Sequence, residues 1–350
     1  MKRPDFSELV RKNIRTLKPY QAKDVRCTVK LDANESPYTF VPAKGVLERI
    51  ASETLNRYPD PEAKGLKRAI ARKIGINTDA ILLGNGSDEL IYYLIITFGG
   101  PVLYPVPTFS MYGIIAQALG ERHIGVPLDR DYDLSVNKVA ASIKKYRPKL
   151  IFLSSPNNPT GNCFSSDRII KIVDMAKGIV VLDEAYQPFS GGKGFLPMLK
   201  DYNQLVILRT LSKIGLASLR VGYLVADSAL IREVDKVRLP FNLNALSQAV
   251  AAAALRGSQL RGPVKAIISE RERLYEALSN IPGARPYPSE ANFIFFKVHD
   301  ADAVYQKLLR YGVLIRNMNT AVRGALRVTV GAPEENDLFI GALKKTLGVK

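Results

Sequence analysis

The sequence predicts an α/β fold, with a mostly parallel central sheet carrying helices on both faces and a second, smaller α+β domain. Three observations predict it. First, short apolar runs recur, each followed by a polar, turn-rich segment: Ala80–Leu83 before GNGSDE, Pro101–Tyr104 before PVPTFSMY, Leu150–Leu153 before SSPNNPTG, Ile179–Leu182 before DEAY, and Leu205–Leu208 before RTLSK. The runs are continuous rather than alternating, which suits strands buried on both faces. Second, helical stretches such as Asp167–Lys177 fall between several of them, and strand–helix alternation is the pattern of a parallel sheet. Third, the pattern changes after about residue 245.

Taken in order, residues 1–35 read as an arm that packs on the smaller domain, as part of it, or on a partner. Residues 36–245 read as the large domain and 246–350 as the small one. In the small one, Pro263–Ser279 is an amphipathic helix with Val264, Ile267, Ile268, Leu274 and Leu278 on one side. Pro282-Gly283 is a turn. Strands follow at Asn292–Val298, Val313–Arg316 and Leu326–Val330. A helix over Asp302–Tyr311 closes on Gly312, and Pro333 starts the last helix. In open α/β sheets ligands sit beyond the carboxyl ends of the strands. The polar segments behind the five apolar runs therefore converge on one candidate site.

With 350 residues, 47% of them apolar, the chain has an ordinary globular core and is not a disordered polymer. The apolar stretch Leu90–Phe98 is far shorter than the ~20 residues that span a bilayer. The opening MKRPDFSELVRKNIR has no apolar signal core, so a cytoplasmic location and no membrane partner are expected. Cys27 and Cys163 alone make neither a disulfide framework nor a cysteine zinc site, and His123 and His299 lie far apart, so no metal is expected. The net charge is +17, but the basic residues are spread without a tract of five or more. Small anionic ligands, rather than nucleic acid, account for such a balance.

Asp183, in DEAY, ends the apolar run IVVL. A buried carboxylate needs a partner, and a protonated ring nitrogen would supply one. The alternative is the magnesium-binding aspartate of a nucleotide hydrolase, which wants a GxxxxGK[ST] loop that the chain lacks. Lys213, in TLSK, stands near the same strand ends, where burial and positive neighbours would free its amine to attack a carbonyl. A solvated surface lysine is the plain alternative. Thr210, Ser212 and Arg220 offer hydroxyls and a guanidinium to a phosphate. Gly84-Asn85-Gly86-Ser87-Asp88 joins a strand to a helix, whose first N–H groups form an anion site, although Ser87 or Asp88 serves equally as a cap. Pro156–Gly161 is a rigid turn that presents an amide side chain. Lysine, aspartate, tyrosine, asparagine, anion cradle and arginine together suit one phosphorylated aromatic aldehyde, pyridoxal phosphate.

On these residues the chain resembles the fold-type I pyridoxal-phosphate aminotransferases, and within them the branch that acts on histidinol phosphate. The resemblance runs over nearly the whole chain. It is carried by LDANESPY (31–38), RYPDP (57–61), LGNGSDELI (83–91), PTFSMY (107–112), SSPNNPTG (154–161), DEAY (183–186), RTLSK (209–213), LRVGY (219–223), PFNLN (240–244), ANF (291–293) and LRVTVG (326–331). The resemblance implies that Lys213 condenses with the cofactor aldehyde and shuttles the proton at the substrate Cα. It implies that Asp183 pairs with the ring nitrogen, that Tyr186 and Asn158 hydrogen-bond the phenolic oxygen, and that Phe109 stacks on the ring. Gly86, Ser87, Thr210, Ser212 and Arg220 would hold the phosphate, with Tyr58 reaching in from the second subunit of a homodimer. Asn34 and Arg327 would face the substrate, Arg327 as the partner of a carboxylate. Tyr20 would line the same pocket, and Arg316 and Arg323 are candidates for a substrate phosphate. One departure is visible: Arg220 follows Lys213 by seven positions, one fewer than is usual in the family, so the loop between them must be tighter.

The implied reaction has two halves. Glutamate gives up its amino group and leaves as 2-oxoglutarate; imidazole acetol phosphate then takes the group and leaves as L-histidinol phosphate. Threonine-phosphate decarboxylases and aromatic aminotransferases use the same lysine and aspartate and are the nearest alternatives. A DNA-binding regulator built on this fold is more distant, because it carries an added N-terminal domain and the enzyme body here starts by about residue 30.

Overall fold

In the computed structural model of the chain, residues 8–19, 25–42, 45, 46, 48 and 56–349 are described. Their first half runs β1 (Val29–Leu31), α1 (Lys64–Ile74), β2 (Ile81–Asn85), α2 (Ser87–Phe98), β3 (Val102–Val106), α3 (Met111–Leu119), β4 (His123–Pro127), α4 (Val136–Tyr146), β5 (Leu150–Ser154), α5 (Ser166–Met175) and β6 (Ile179–Asp183). Then come β7 (Leu205–Thr210), β8 (Val221–Ala226), α6 (Ser228–Asp235), α7 (Ala245–Arg256), α8 (Arg261–Ser279), β9 (Arg285–Pro286), β10 (Phe293–Lys297), α9 (Ala301–Arg310), β11 (Val313–Asn317), β12 (Ala325–Thr329) and α10 (Pro333–Leu347).

Seven strands form the larger sheet in the order β2-β8-β7-β6-β5-β3-β4. All neighbours are parallel except β8, which runs antiparallel to both β2 and β7. Successive strand residues point to opposite faces. Ile151 and Leu153 of β5 join one core with α1, α4, α5 and α7, while Leu150 and Phe152 join the other with α2, α3 and α6. The central strands are thus apolar up to their carboxyl ends because both faces are covered, which is why the runs do not alternate. Two strands carry no such run in the sequence reading. β4 sits at the edge and is largely solvent-facing, and β8 begins inside the segment LRVGY, which reads first as a motif.

The smaller sheet has the order β1-β11-β12-β10-β9 and is antiparallel except for the β1–β11 pair. Its core takes Ile267, Leu274 and Leu278 from α8, Leu308 from α9 and Phe339 from α10. It also takes Ala185, Tyr186 and Phe189, which follow β6 of the larger sheet. The N-terminal stretch divides its contacts: Asn13 Nδ2 donates to the carbonyls of Gln117 and Ala118 at the end of α3, whereas β1 belongs to the smaller sheet. The expected change near residue 245 precedes α7, whose Ala251, Ala252, Ala254 and Leu255 still pack in the larger sheet's core. Packing passes to the smaller sheet with α8.

Candidate active site

The parallel strands β6 and β7 end side by side, and their carboxyl ends deliver Asp183 and Thr210 to one cleft. The turn into α2 brings Ser87 and Asp88 to it, the turn before α3 brings Phe109, and the turn after β5 brings Asn158. The cleft is lined by these residues with Ser154, Ala185, Tyr186, Ser212, Lys213 and Arg220. Nine of the residues singled out from sequence therefore meet in one place: Ser87, Phe109, Asn158, Asp183, Tyr186, Thr210, Ser212, Lys213 and Arg220.

Asp183 is the deepest charged group. One carboxylate oxygen, Oδ1, accepts from the Ala185 N–H at 3.0 Å; the other, Oδ2, accepts from the Tyr112 hydroxyl at 2.6 Å. Burial pushes its carboxyl up to about 6, against the opposing pull of those two donors. A carboxylate this buried has its charge best satisfied by a cation brought in by a ligand. Lys213 Nζ donates to the Ala33 carbonyl at 3.4 Å and stands 5.8 Å from the centroid of the Tyr186 ring.

The anion cradle is built from backbone. Gly86, at φ 85°, precedes the first residue of α2 and turns the chain so that the helix N-terminus faces the cleft. A Cβ on Gly222 of β8 would stand 2.7 Å from both Gly86 C and Ser87 N, so the close approach requires glycine. Thr210 Oγ1 lies 2.9 Å from Ser212 Oγ and accepts from the Ser212 N–H at 3.1 Å. Arg220 Nη2 sits against Gly86, where a Cβ would be only 2.5 Å away, and 3.8 Å from Asp88. The shortened loop therefore still brings the guanidinium to the cradle. It does so with Gly215 at φ 96° and with Arg220 itself in the left-handed region at φ 52°, which costs a non-glycine residue about 1 kcal/mol.

A chain of buried hydrogen bonds runs across the mouth of the cleft. Arg327 Nη1 donates to Asn158 Oδ1 at 2.6 Å, and Asn158 Nδ2 faces the Tyr186 hydroxyl at 3.3 Å. Asn34 Nδ2 donates to the same hydroxyl at 2.9 Å, while Arg327 Nη2 donates to the Asp32 carbonyl at 2.7 Å. Asn34 and Arg327, from the smaller sheet's side, are thus tied to the tyrosine and asparagine of the larger. Arg316 is the cross-strand partner of Arg327, so the two side chains leave the same face, and Asn34, Arg327, Arg316 and the exposed Arg323 all lie outside the set of residues that line the cleft. Tyr58 is 81% exposed and stacks on Phe241, away from the cleft of its own chain. Tyr20 lies outside the described residues.

Sequence reasoning missed Tyr112, which reaches Asp183 from α3, and the pair Glu184–Arg209. Glu184 is fully buried and takes Arg209 Nη2 at 2.7 Å, joining the ends of β6 and β7 on the side away from Asp183. Both partners stand inside the quoted motifs DEAY and RTLSK, and that placement was the available signal.

Three layers of α/β structure with a lysine, a buried aspartate and an anion cradle at the strand ends define the fold-type I class of pyridoxal-phosphate transferases. The chain belongs to the aminotransferase class I and II family, which matches residues 27–343. It is 43% identical over 350 residues to a histidinol-phosphate aminotransferase of Thermoanaerobacter pseudethanolicus, covering 98% of this chain and 99% of that one. The histidinol-phosphate aminotransferase of Sinorhizobium meliloti, solved in complex with pyridoxal-5'-phosphate, superposes with a TM-score of 0.86 at 26% identity over 96% of this chain and 97% of that one. An L-threonine-O-3-phosphate decarboxylase from Porphyromonas gingivalis also superposes, with a TM-score of 0.77 at 25% identity over 91% and 99% of the two chains.

Proposed function

We propose that this protein is a pyridoxal-phosphate-dependent histidinol-phosphate aminotransferase that moves an amino group between glutamate and imidazole acetol phosphate in histidine biosynthesis. One observation carries the reading: Lys213, Asp183, Tyr186, Asn158 and a glycine-built phosphate cradle share a single cleft. The residues fit the cofactor. Gly222 lets the start of α2 lie directly on β8, Gly86 leaves room for the Arg220 guanidinium beside that helix end, and the Asp183 carboxylate is buried where a ring cation would meet it.

Pyridoxal phosphate, when bound, supplies an aldehyde for the amino group and a ring that takes up the electrons of the broken Cα–H bond. The chain's residues do the rest. Ser87, Thr210, Ser212, Arg220 and the first N–H groups of α2 hold the phosphate dianion. Asp183 would pair with the ring nitrogen and keep it protonated, Phe109 would cover a ring face, and Tyr186 with Asn158 would hydrogen-bond the phenolic oxygen. Lys213 Nζ would hold the cofactor at its aldehyde carbon and would be the base that takes and returns the proton at the substrate Cα. Arg327 would receive the α-carboxylate of glutamate. Arg316, on the same face, and Arg323 serve the phosphate of the second substrate. Both substrates are anions, which agrees with a net charge of +17.

The same reading includes a cytoplasmic homodimer in which Tyr58, exposed on its own chain, completes the partner's phosphate site. The test is a substrate panel on cofactor-loaded protein. Turnover of glutamate with imidazole acetol phosphate is expected. Turnover of phenylpyruvate without it would assign an aromatic aminotransferase, and carbon dioxide release from phosphothreonine would assign a decarboxylase.

A further inference from the structure

Tyr112 lies in the first turn of α3 and is completely buried. Its ring is stacked on Phe152 of β5, with centroids 4.8 Å apart and planes 14° from parallel. Phe109, three residues earlier, meets it edge-on at 5.6 Å and 83°. A ring clamped in this way can aim its hydroxyl in only one direction, and that direction ends 2.6 Å from Asp183 Oδ2. The helix turn that carries the ring-stacking phenylalanine thus also carries the donor to the aspartate.

We infer that Tyr112 is a positioning residue of the site: its hydroxyl fixes the Asp183 carboxylate, and holds it ionised, for the cofactor's ring nitrogen. The inference rests on the pyridoxal-phosphate reading above. Asp183 is attached to the backbone through only one oxygen, by the Ala185 N–H. The charged groups that face it otherwise work against ionisation: Asp88 from α2 and Glu184 from its own strand end are both acidic. Lys213 and Arg220 act on Asp88, so their charge is partly spent there. The Ser154 hydroxyl of β5 donates to the Pro156 carbonyl at 3.1 Å and not to the aspartate. Burial keeps the phenol protonated well above its ordinary range, so it donates at every working pH. A donor to the charged form of a buried acid favours that form.

The test is Tyr112→Phe, which keeps the ring and its packing and removes one oxygen. Tyr104→Phe is the control, because the Tyr104 hydroxyl pairs with His123 Nδ1 at 2.9 Å. In the cofactor-free full chain, the ¹³C carboxyl resonance of Asp183, assigned by its loss in Asp183→Asn, is expected to titrate about one pH unit higher in Tyr112→Phe. With cofactor, the wild type is expected to bind pyridoxal phosphate more tightly than the 1-deaza analogue, which lacks the ring nitrogen. Tyr112→Phe should lose about tenfold of that preference, with affinity for the analogue unchanged and kcat about tenfold lower at an unaltered KM for glutamate. Should Tyr112→Phe not fold, 3-fluorotyrosine in place of Tyr112, a stronger donor of nearly the same shape, must move the Asp183 titration down instead. An unmoved Asp183 titration with an undiminished preference for pyridoxal phosphate over its analogue overturns the inference alone. A wild type that binds neither compound overturns the cofactor reading and this inference with it.

Discussion

Asp183 is the residue whose environment has the plainest thermodynamic consequence. Its folded value of about 6 lies above the ~3.9 of an unfolded aspartate, so between those two pH values the folded protein keeps a proton that the unfolded chain has released. Stability of the cofactor-free protein therefore falls as pH rises from about 4 to about 6 and stays lower above that. The loss is roughly 3 kcal/mol. Asp183→Asn should accordingly melt several degrees above wild type at pH 8 and level with it at pH 4, as followed by calorimetry without cofactor. Lys213→Ala should leave no borohydride-trapped adduct and no turnover, while equilibrium dialysis still finds cofactor held by the phosphate cradle. The two residues were legible because Asp183 directly follows one apolar run and Lys213 stands in the polar segment behind another. Tyr112 was not, since the residue it serves lies 71 positions away and nothing in the helical pattern of α3 distinguishes it from a core tyrosine.

Among elements, β8 matters most to the cradle. A side chain on Gly222 would collide with backbone at Gly86 and Ser87, which cannot swing aside as a flexible side chain can. Gly222→Ala should push the start of α2 away and weaken cofactor binding at least about tenfold, measured by absorbance titration. The Glu184–Arg209 pair joins β6 to β7, and Glu184 Oε1 also accepts from the Phe195 N–H at 2.6 Å. Glu184→Ala strands a buried guanidinium and should cost about 3–5 kcal/mol in urea unfolding, more than replacing both partners with apolar residues. The buried parallel strands could be read from sequence because two covered faces leave no polar position. The edge strand β4, mostly wet, left no comparable trace, and the fit of Arg220 depended on a left-handed backbone that spacing alone does not encode.

At the scale of the molecule, the described residues contain no helix long and apolar enough to cross a membrane. The exposed Tyr58–Phe241 stack is the feature that suits a second copy. Light scattering should give twice the chain mass, and Tyr58→Ala should lower cofactor affinity without changing the substrate KM.

The sequence pattern changes after residue 245, one helix before packing passes to the smaller sheet, and it carries no sign of the crossing between the two sheets. Ala185, Tyr186 and Phe189 leave a strand of one sheet and are buried in the other's core, and the Phe189 carbonyl takes a further bond from the buried Arg271 of α8. A turn rooted at both ends in this way cannot breathe by itself. In deuterated solvent its amides should exchange as slowly as those of the central strands, although surface turns of similar length label within seconds.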